Sequence, residues 1–207
     1  MQTDASSRAG TDPGETARAG TRPAPVEGIA AVAAKQRLFV SVMLPDDIRN
    51  GLESLDRPDV PGLRWTAPEQ WHLTVRFLGQ EDPSLVIPAL RDARLPVTHV
   101  RLGPRVRRLS GRVAMVPATG LADLARVVRH CTKKLGVPID RRFGGHVTLA
   151  RWRGKGSLPV AAVGQDFEET FVVHEINLMR SVLDTQGAIH TSLARFPVPS
   201  PRARSNG

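Results

Sequence analysis

His72-Leu73-Thr74-Val75-Arg76-Phe77-Leu78-Gly79 is answered 74 residues later by His146-Val147-Thr148-Leu149-Ala150-Arg151. Apolar and polar residues alternate through both stretches, so each reads as a β-strand with one face on a core. Residues two apart in a strand project from the same side. His72, Thr74 and Arg76 therefore share one face, and Leu73, Val75 and Phe77 the other. His146, Thr148 and Ala150 repeat the layout over Val147 and Leu149. A third His-x-Thr, His130-Cys131-Thr132, falls inside the strongest helical pattern, Gly120 to Leu135. There, residues two apart point about 200° from each other around the axis, so this copy is read as chance.

Working outward, Leu38, Val40, Val42 and Leu44 lie on one parity of a strand that starts at Arg37. Pro45-Asp46-Asp47 opens a helix with Ile48, Leu52 and Leu55 as its stripe. Leu63 to Trp65 reads as a short strand, Thr66 to Glu69 as a turn, and His72 to Leu78 as a strand ended by Gly79. A helix is expected over 83–94, strands over 97–102 and 112–116, and the helix over 120–135 stopped by Gly136. After the strand 146–151 and a Gly/Pro/Lys-rich loop over 153–164, strands over 171–179 and 189–196 close the chain. The order predicts an α+β fold: two pseudo-symmetric lobes of antiparallel sheet, helices on the outer faces, and an active-site groove between them. Each lobe supplies one His-x-Thr strand.

The chain has 207 residues, 41% hydrophobic, with a formal net charge of +9. Residues 1–35 and 199–207 are poor in periodic apolar residues and are expected to be disordered tails around a domain at 36–198. The basic balance favours an anionic partner, nucleic acid before an acidic membrane surface. The single cysteine, Cys131, excludes an internal disulfide. No apolar run approaches the roughly 20 residues that cross a bilayer. The first residues lack the basic-then-apolar order of a secretory signal. A cytoplasmic monomer with no membrane association is the expectation.

The paired motif suits acid–base chemistry on a phosphate. Histidine titrates near neutrality, so one imidazole can accept a proton while the other donates one. Thr74 and Thr148 can donate hydrogen bonds to phosphoryl oxygens, and Arg76 can add a charge-assisted contact. No carboxylate cluster or metal-ligand set accompanies them, so no metal and no cofactor is expected. His99, His174 and His190 read as structural or exposed, and Phe77 and Phe143 as core. The arginines at 101, 105, 107, 108 and 112 fit either a phosphate-tracking ridge or an exposed hairpin.

These residues resemble the 2H phosphoesterase superfamily, and within it the RNA 2′,3′-cyclic phosphodiesterases, also called 2′-5′ RNA ligases after an in vitro activity. The resemblance runs from Arg37 to Phe196. It rests on the RLFV strand, Arg64-Trp65, HLTVRFLG, the FGGHVTLAR block, and Leu178, Ser181, Leu183 and Gly187. It implies His72 as proton donor, His146 as proton acceptor, and Thr74 and Thr148 holding the phosphate. Arg151 matches the family's arginine after the second motif, implying a further phosphate contact, although strand parity sets it opposite His146. The implied reaction opens 2′,3′-cyclic phosphate ends of RNA, tRNA fragments among them, to 2′-phosphomonoesters. Small cyclic nucleotides or ADP-ribose cyclic phosphates are the alternative substrates, and a non-catalytic RNA-end-binding module is the alternative class. The chain departs from the family at Gly145, where relatives usually have Pro, and at His190, where relatives often have Tyr.

Overall fold

The computed structural model describes residues 34–139, 142–184 and 187–199. The expected tails lie, but for residues 34, 35 and 199, outside the described residues. The strands are β1 (Gln36–Met43), β2 (Leu63–Trp65), β3 (His72–Glu81), β4 (His99–Leu102), β5 (Arg107–Leu109), β6 (Val113–Thr119), β7 (Gly145–Trp152), β8 (Glu169–Val172), β9 (Glu175–Asp184) and β10 (Gly187–Pro197). The helices are α1 (Asp46–Glu53), α2 (Pro83–Arg91) and α3 (Ala122–Cys131).

Among the described residues all ten strands belong to one antiparallel sheet with the main order β10-β9-β1-β3-β7-β6-β4-β8; β2 pairs with β7 and β5 with β6 off this path. The order splits at its centre into two four-stranded halves, and the two motif strands, β3 and β7, meet at the seam. They pair through Leu73 and Val147, both 0% exposed. The two expected lobes are thus halves of one α+β sheet joined at a narrow seam.

The helices lock the halves together. α1 packs toward the second half, where a Cβ on its Gly51 would lie 3.3 Å from the Phe167 ring. Just beyond it, Asp56 and Gln165 exchange hydrogen bonds at 2.7 and 2.9 Å. α3 packs on β3 of the first half, and the following Val137 N–H donates to the Leu78 carbonyl. Ile48, Leu52, Leu124 and Val128 are the apolar stripes these helices bury. α3 is shorter than its sequence pattern, because residues 132–135 turn away through Thr132, whose hydroxyl donates to the Val128 carbonyl.

Two strand expectations need correction. The run over 171–179 is two strands: β8 pairs with β4 in one half, and β9 with β1 in the other. The chain crosses between the halves at Val173-His174. Gly79 does not end β3, which continues to Glu81. Gly79 instead takes φ 73° opposite Leu38, while Phe77 faces Phe39, so Leu78 is an extra residue in a β-bulge. The arginine run at 101–112 is held within the second half: Arg101 pairs with Glu168, Arg105 with Asp166, and Arg108 and Arg112 donate to the carbonyls of Leu158 and Gly154.

Candidate active site

On the register of Leu73 opposite Val147, one step either way sets His72 across from Thr148 and Thr74 across from His146. Directly opposed residues in an antiparallel pair share a face. The four motif side chains therefore form a square on one side of the seam, each imidazole facing the other strand's threonine. All four line a cleft of about 680 Å³. Leu73, Val75, Val147 and Leu149 lie beneath it, none more than 2% exposed.

Both imidazoles are oriented by the same device. His72 Nδ1 lies 2.7 Å from the Gln70 carbonyl oxygen, and His146 Nδ1 lies 3.0 Å from that of Gly144. A carbonyl can only accept, so each Nδ1 carries the hydrogen and each Nε2 is left for the cleft. Their surroundings differ. Burial, followed by the nearby His190, His146 and Arg151, lowers the His72 pKa from 6.5 to about 4 against the raising effect of the Gln70 carbonyl.

Each motif also carries a β-bulge at its fourth residue. Val40 faces Arg76 and Ser41 faces Thr74, which leaves Val75 extra in β3. Ala114 faces Ala150 and Met115 faces Thr148, which leaves Leu149 extra in β7. A bulge resets the alternation of side chains. Arg76 is consequently turned away from the cleft, 5% exposed, and its Nη2 donates to the carbonyl oxygens of Leu135 and Val137. The expected phosphate contact from Arg76 is therefore replaced by a clamp on the turn after α3. Phe77, expected in the core, is 39% exposed and lines the cleft. In β7 the same reset turns Arg151 into the cleft, against plain strand parity. Arg76→Ala should lower stability by about 2 kcal/mol through the lost charged hydrogen bonds, read by urea denaturation. Its kcat should stay near wild type; a large loss of kcat at unchanged stability would return Arg76 to the site.

The bulges make the cleft asymmetric, with Phe77 at the position in β3 that Arg151 holds in β7. Arg37 stacks its guanidinium 4.9 Å above the Phe77 ring, a face suited to a nucleobase. On the other side stand Arg64, Arg151 and Arg153. No carboxylate lines the cleft among the described residues. No group of three or more His, Cys, Asp or Glu among the described residues is placed to hold a metal ion.

His190 is not a remote structural residue. Its ring meets His72 edge-on at 5.3 Å and Phe39 at 5.0 Å, so Phe39, His72 and His190 form one aromatic cluster on the cleft wall. Burial, then Arg37, lowers the His190 pKa. Gln70, Ser181, Leu183 and Ala188 line the same wall, and Gln70 Nε2 donates to the Ala188 carbonyl at 2.6 Å. Gly145 has a packing reason: a Cβ there would sit 2.9 Å from the Ala118 carbonyl oxygen of β6 and 3.1 Å from Leu121. The helical triplet at His130 stays outside the site. His130 lines a separate groove of about 410 Å³ along α3, while Thr132 is fully buried.

No protein-family model matches the chain. It is 26% identical over 188 residues to a Geobacillus stearothermophilus protein named RNA 2′,3′-cyclic phosphodiesterase, covering 79% of this chain and 58% of that one. It is 27% identical over 174 residues to an Archaeoglobus fulgidus protein of the same name, covering 77% of this chain and 99% of that one. The fold matches the crystal structure of TT0787 of Thermus thermophilus with a TM-score of 0.67 and 28% identity, over 79% of this chain and 98% of that one. Among the described residues, no helix is long and apolar enough to cross a membrane. The likeness in sequence, the shared fold and the square of paired His-x-Thr motifs agree in likening the chain to the enzymes of the 2H phosphoesterase superfamily.

Proposed function

We propose that this enzyme opens 2′,3′-cyclic phosphate ends of RNA to 2′-phosphomonoesters, without a metal, by paired-histidine acid–base catalysis. The observation that carries this reading is the orientation shared by the two imidazoles: each Nδ1–H is tied to a backbone carbonyl, and each Nε2 is left facing the same cleft. His146 Nε2 removes a proton from water as the water oxygen bonds to phosphorus. The bond from phosphorus to the 3′ oxygen breaks, and His72 Nε2–H supplies the proton to that oxygen. The product carries a 2′-phosphate and a free 3′-hydroxyl. Thr74 and Thr148, across the strand pair from His146 and His72, donate to the non-bridging oxygens, and Arg151 adds positive charge where negative charge builds.

The names of the relatives and the absence of acidic residues from the cleft lining among the described residues support an RNA end as substrate. The proposal includes action as a cytoplasmic monomer with no cofactor. Purified enzyme in excess EDTA should convert an oligonucleotide ending in a 2′,3′-cyclic phosphate to the 2′-phosphate, identified by chromatography against both phosphate isomers. Full loss of turnover in EDTA, restored by a divalent metal, would end the metal-independent reading. A 3′-phosphate product would reverse the assignment of the leaving oxygen.

A further inference from the structure

Resting on that reading of the reaction, we infer that Arg64 and Arg153, together with Arg151, form a second anion subsite. It takes the phosphodiester on the 5′ side of the terminal nucleotide, so that the enzyme selects RNA chains over cyclic mononucleotides.

Arg64 on β2 and Arg151 on β7 are directly opposed in the antiparallel register, and both line the cleft. Like charges directly across a strand pair destabilise a sheet. Arg153 lies two residues past Arg151, and its backbone N–H donates to the Gly62 carbonyl, which holds this stretch against the segment leading into β2. Elsewhere on this half of the sheet Arg101 is offset by Glu168 and Arg105 by Asp166, while Arg108 and Arg112 donate to the carbonyls of Leu158 and Gly154. None of the three cleft arginines has an ion-pair partner among the described residues. The three guanidinium groups converge on a cleft whose lining holds no carboxylate among the described residues, an arrangement that suits an anion from outside.

The position of that anion follows from the asymmetry of the cleft. The reacting phosphate occupies the square of His72, Thr74, His146 and Thr148. The Phe77–Arg37 face on the first half fits the terminal base. A ribose held between them directs its 5′ oxygen away from the base, and the arginines occupy the opposite wall. A cyclic mononucleotide with a free 5′-hydroxyl has nothing to place there. A nucleotide bearing a 5′-phosphate, or any longer RNA, does.

The test compares three substrates on the wild-type enzyme: adenosine 2′,3′-cyclic phosphate, the same compound with a 5′-phosphate, and a dinucleotide ending in the cyclic phosphate. The 5′-phosphate and the dinucleotide should each raise kcat/KM about tenfold, as one charge-assisted contact provides, and rising salt should shrink the advantage. In Arg64→Gln and Arg153→Gln the ratio of 5′-phosphorylated to unphosphorylated substrate should fall toward one. Equal kcat/KM on all three substrates with wild-type enzyme would overturn the subsite while leaving the cyclic phosphodiesterase reading intact. An undiminished ratio in both variants would overturn the assignment to these arginines. Failure to open any of the three would instead count against the proposed reaction.

Discussion

Replacing His72 or His146 with alanine should each lower kcat on a cyclic-ended oligonucleotide by about 10²–10⁴-fold, the range general acid–base catalysis contributes. KM should change far less, because in the proposed complex Thr74, Thr148 and Arg151 hold the phosphate without either imidazole. The double variant should be scarcely slower than the worse single one. In the proposed reaction a proton removed at His146 and a proton delivered at His72 belong to one displacement, and groups acting as a unit show strongly non-additive losses. Steady-state rates on wild type, the two single variants and the double variant check this. Losses that multiply would mean that the histidines serve separate steps.

The second large effect concerns the proton on His72. An unfolded histidine titrates near 6.5, whereas in the folded cleft burial and neighbouring cations hold His72 at about 4. Above pH 6.5 the ring is neutral in both states and contributes no pH dependence. Between 6.5 and 4 the unfolded chain binds a proton that the folded chain refuses, so stability falls as pH falls. The loss from this ring alone reaches about 3 kcal/mol by pH 4. Urea denaturation of wild type and His72→Asn from pH 7 to 4 should show the variant losing less stability by that amount. Parallel curves would mean that the ring titrates normally.

The same depression bears on catalysis. A group with a pKa near 4 is protonated in only about one molecule in a thousand at pH 7, a poor starting point for an acid. The substrate itself supplies the correction, since a phosphate anion beside the ring favours its charged form. In NMR titrations the His72 resonance should move upward by more than one pH unit when a nucleotide monophosphate fills the cleft.

Much of this arrangement was legible in the sequence because its periodicities are clean. The alternation in β1, β3 and β7 and the apolar stripe of α3 placed both motifs on strands and set aside the helical triplet at His130. The bulges were not legible. Leu73, Val75 and Phe77 alternate without a break, so nothing within β3 marks Val75 as an extra residue; the pairing with β1 does. In β7 the apolar doublet Leu149-Ala150 is a local sign of the same bulge, and aligning the two copies would have set Phe77 over Arg151. That single comparison would have moved Phe77 into the cleft and Arg76 out of it.

The role of His190 was hidden for a different reason. It reaches His72 only through the pairing of β10 with β9 and of β9 with β1, contacts set by strand order and not by local pattern. The split of 171–179 was hidden likewise, since only His174 and Glu175 separate the apolar Phe171, Val172 and Val173 from Ile176, although Phe171 and Ile176 serve opposite halves of the sheet.

The central claim assigns one proton to each histidine, and it is tested most directly with a substrate whose 3′ leaving oxygen is replaced by sulfur. A thiolate departs without protonation, so this substrate has no use for a general acid but still needs its water activated. On it, His72→Ala should approach the wild-type rate, while His146→Ala should keep its full loss. Rescue of His146→Ala instead, or an undiminished loss in His72→Ala, would contradict the assignment.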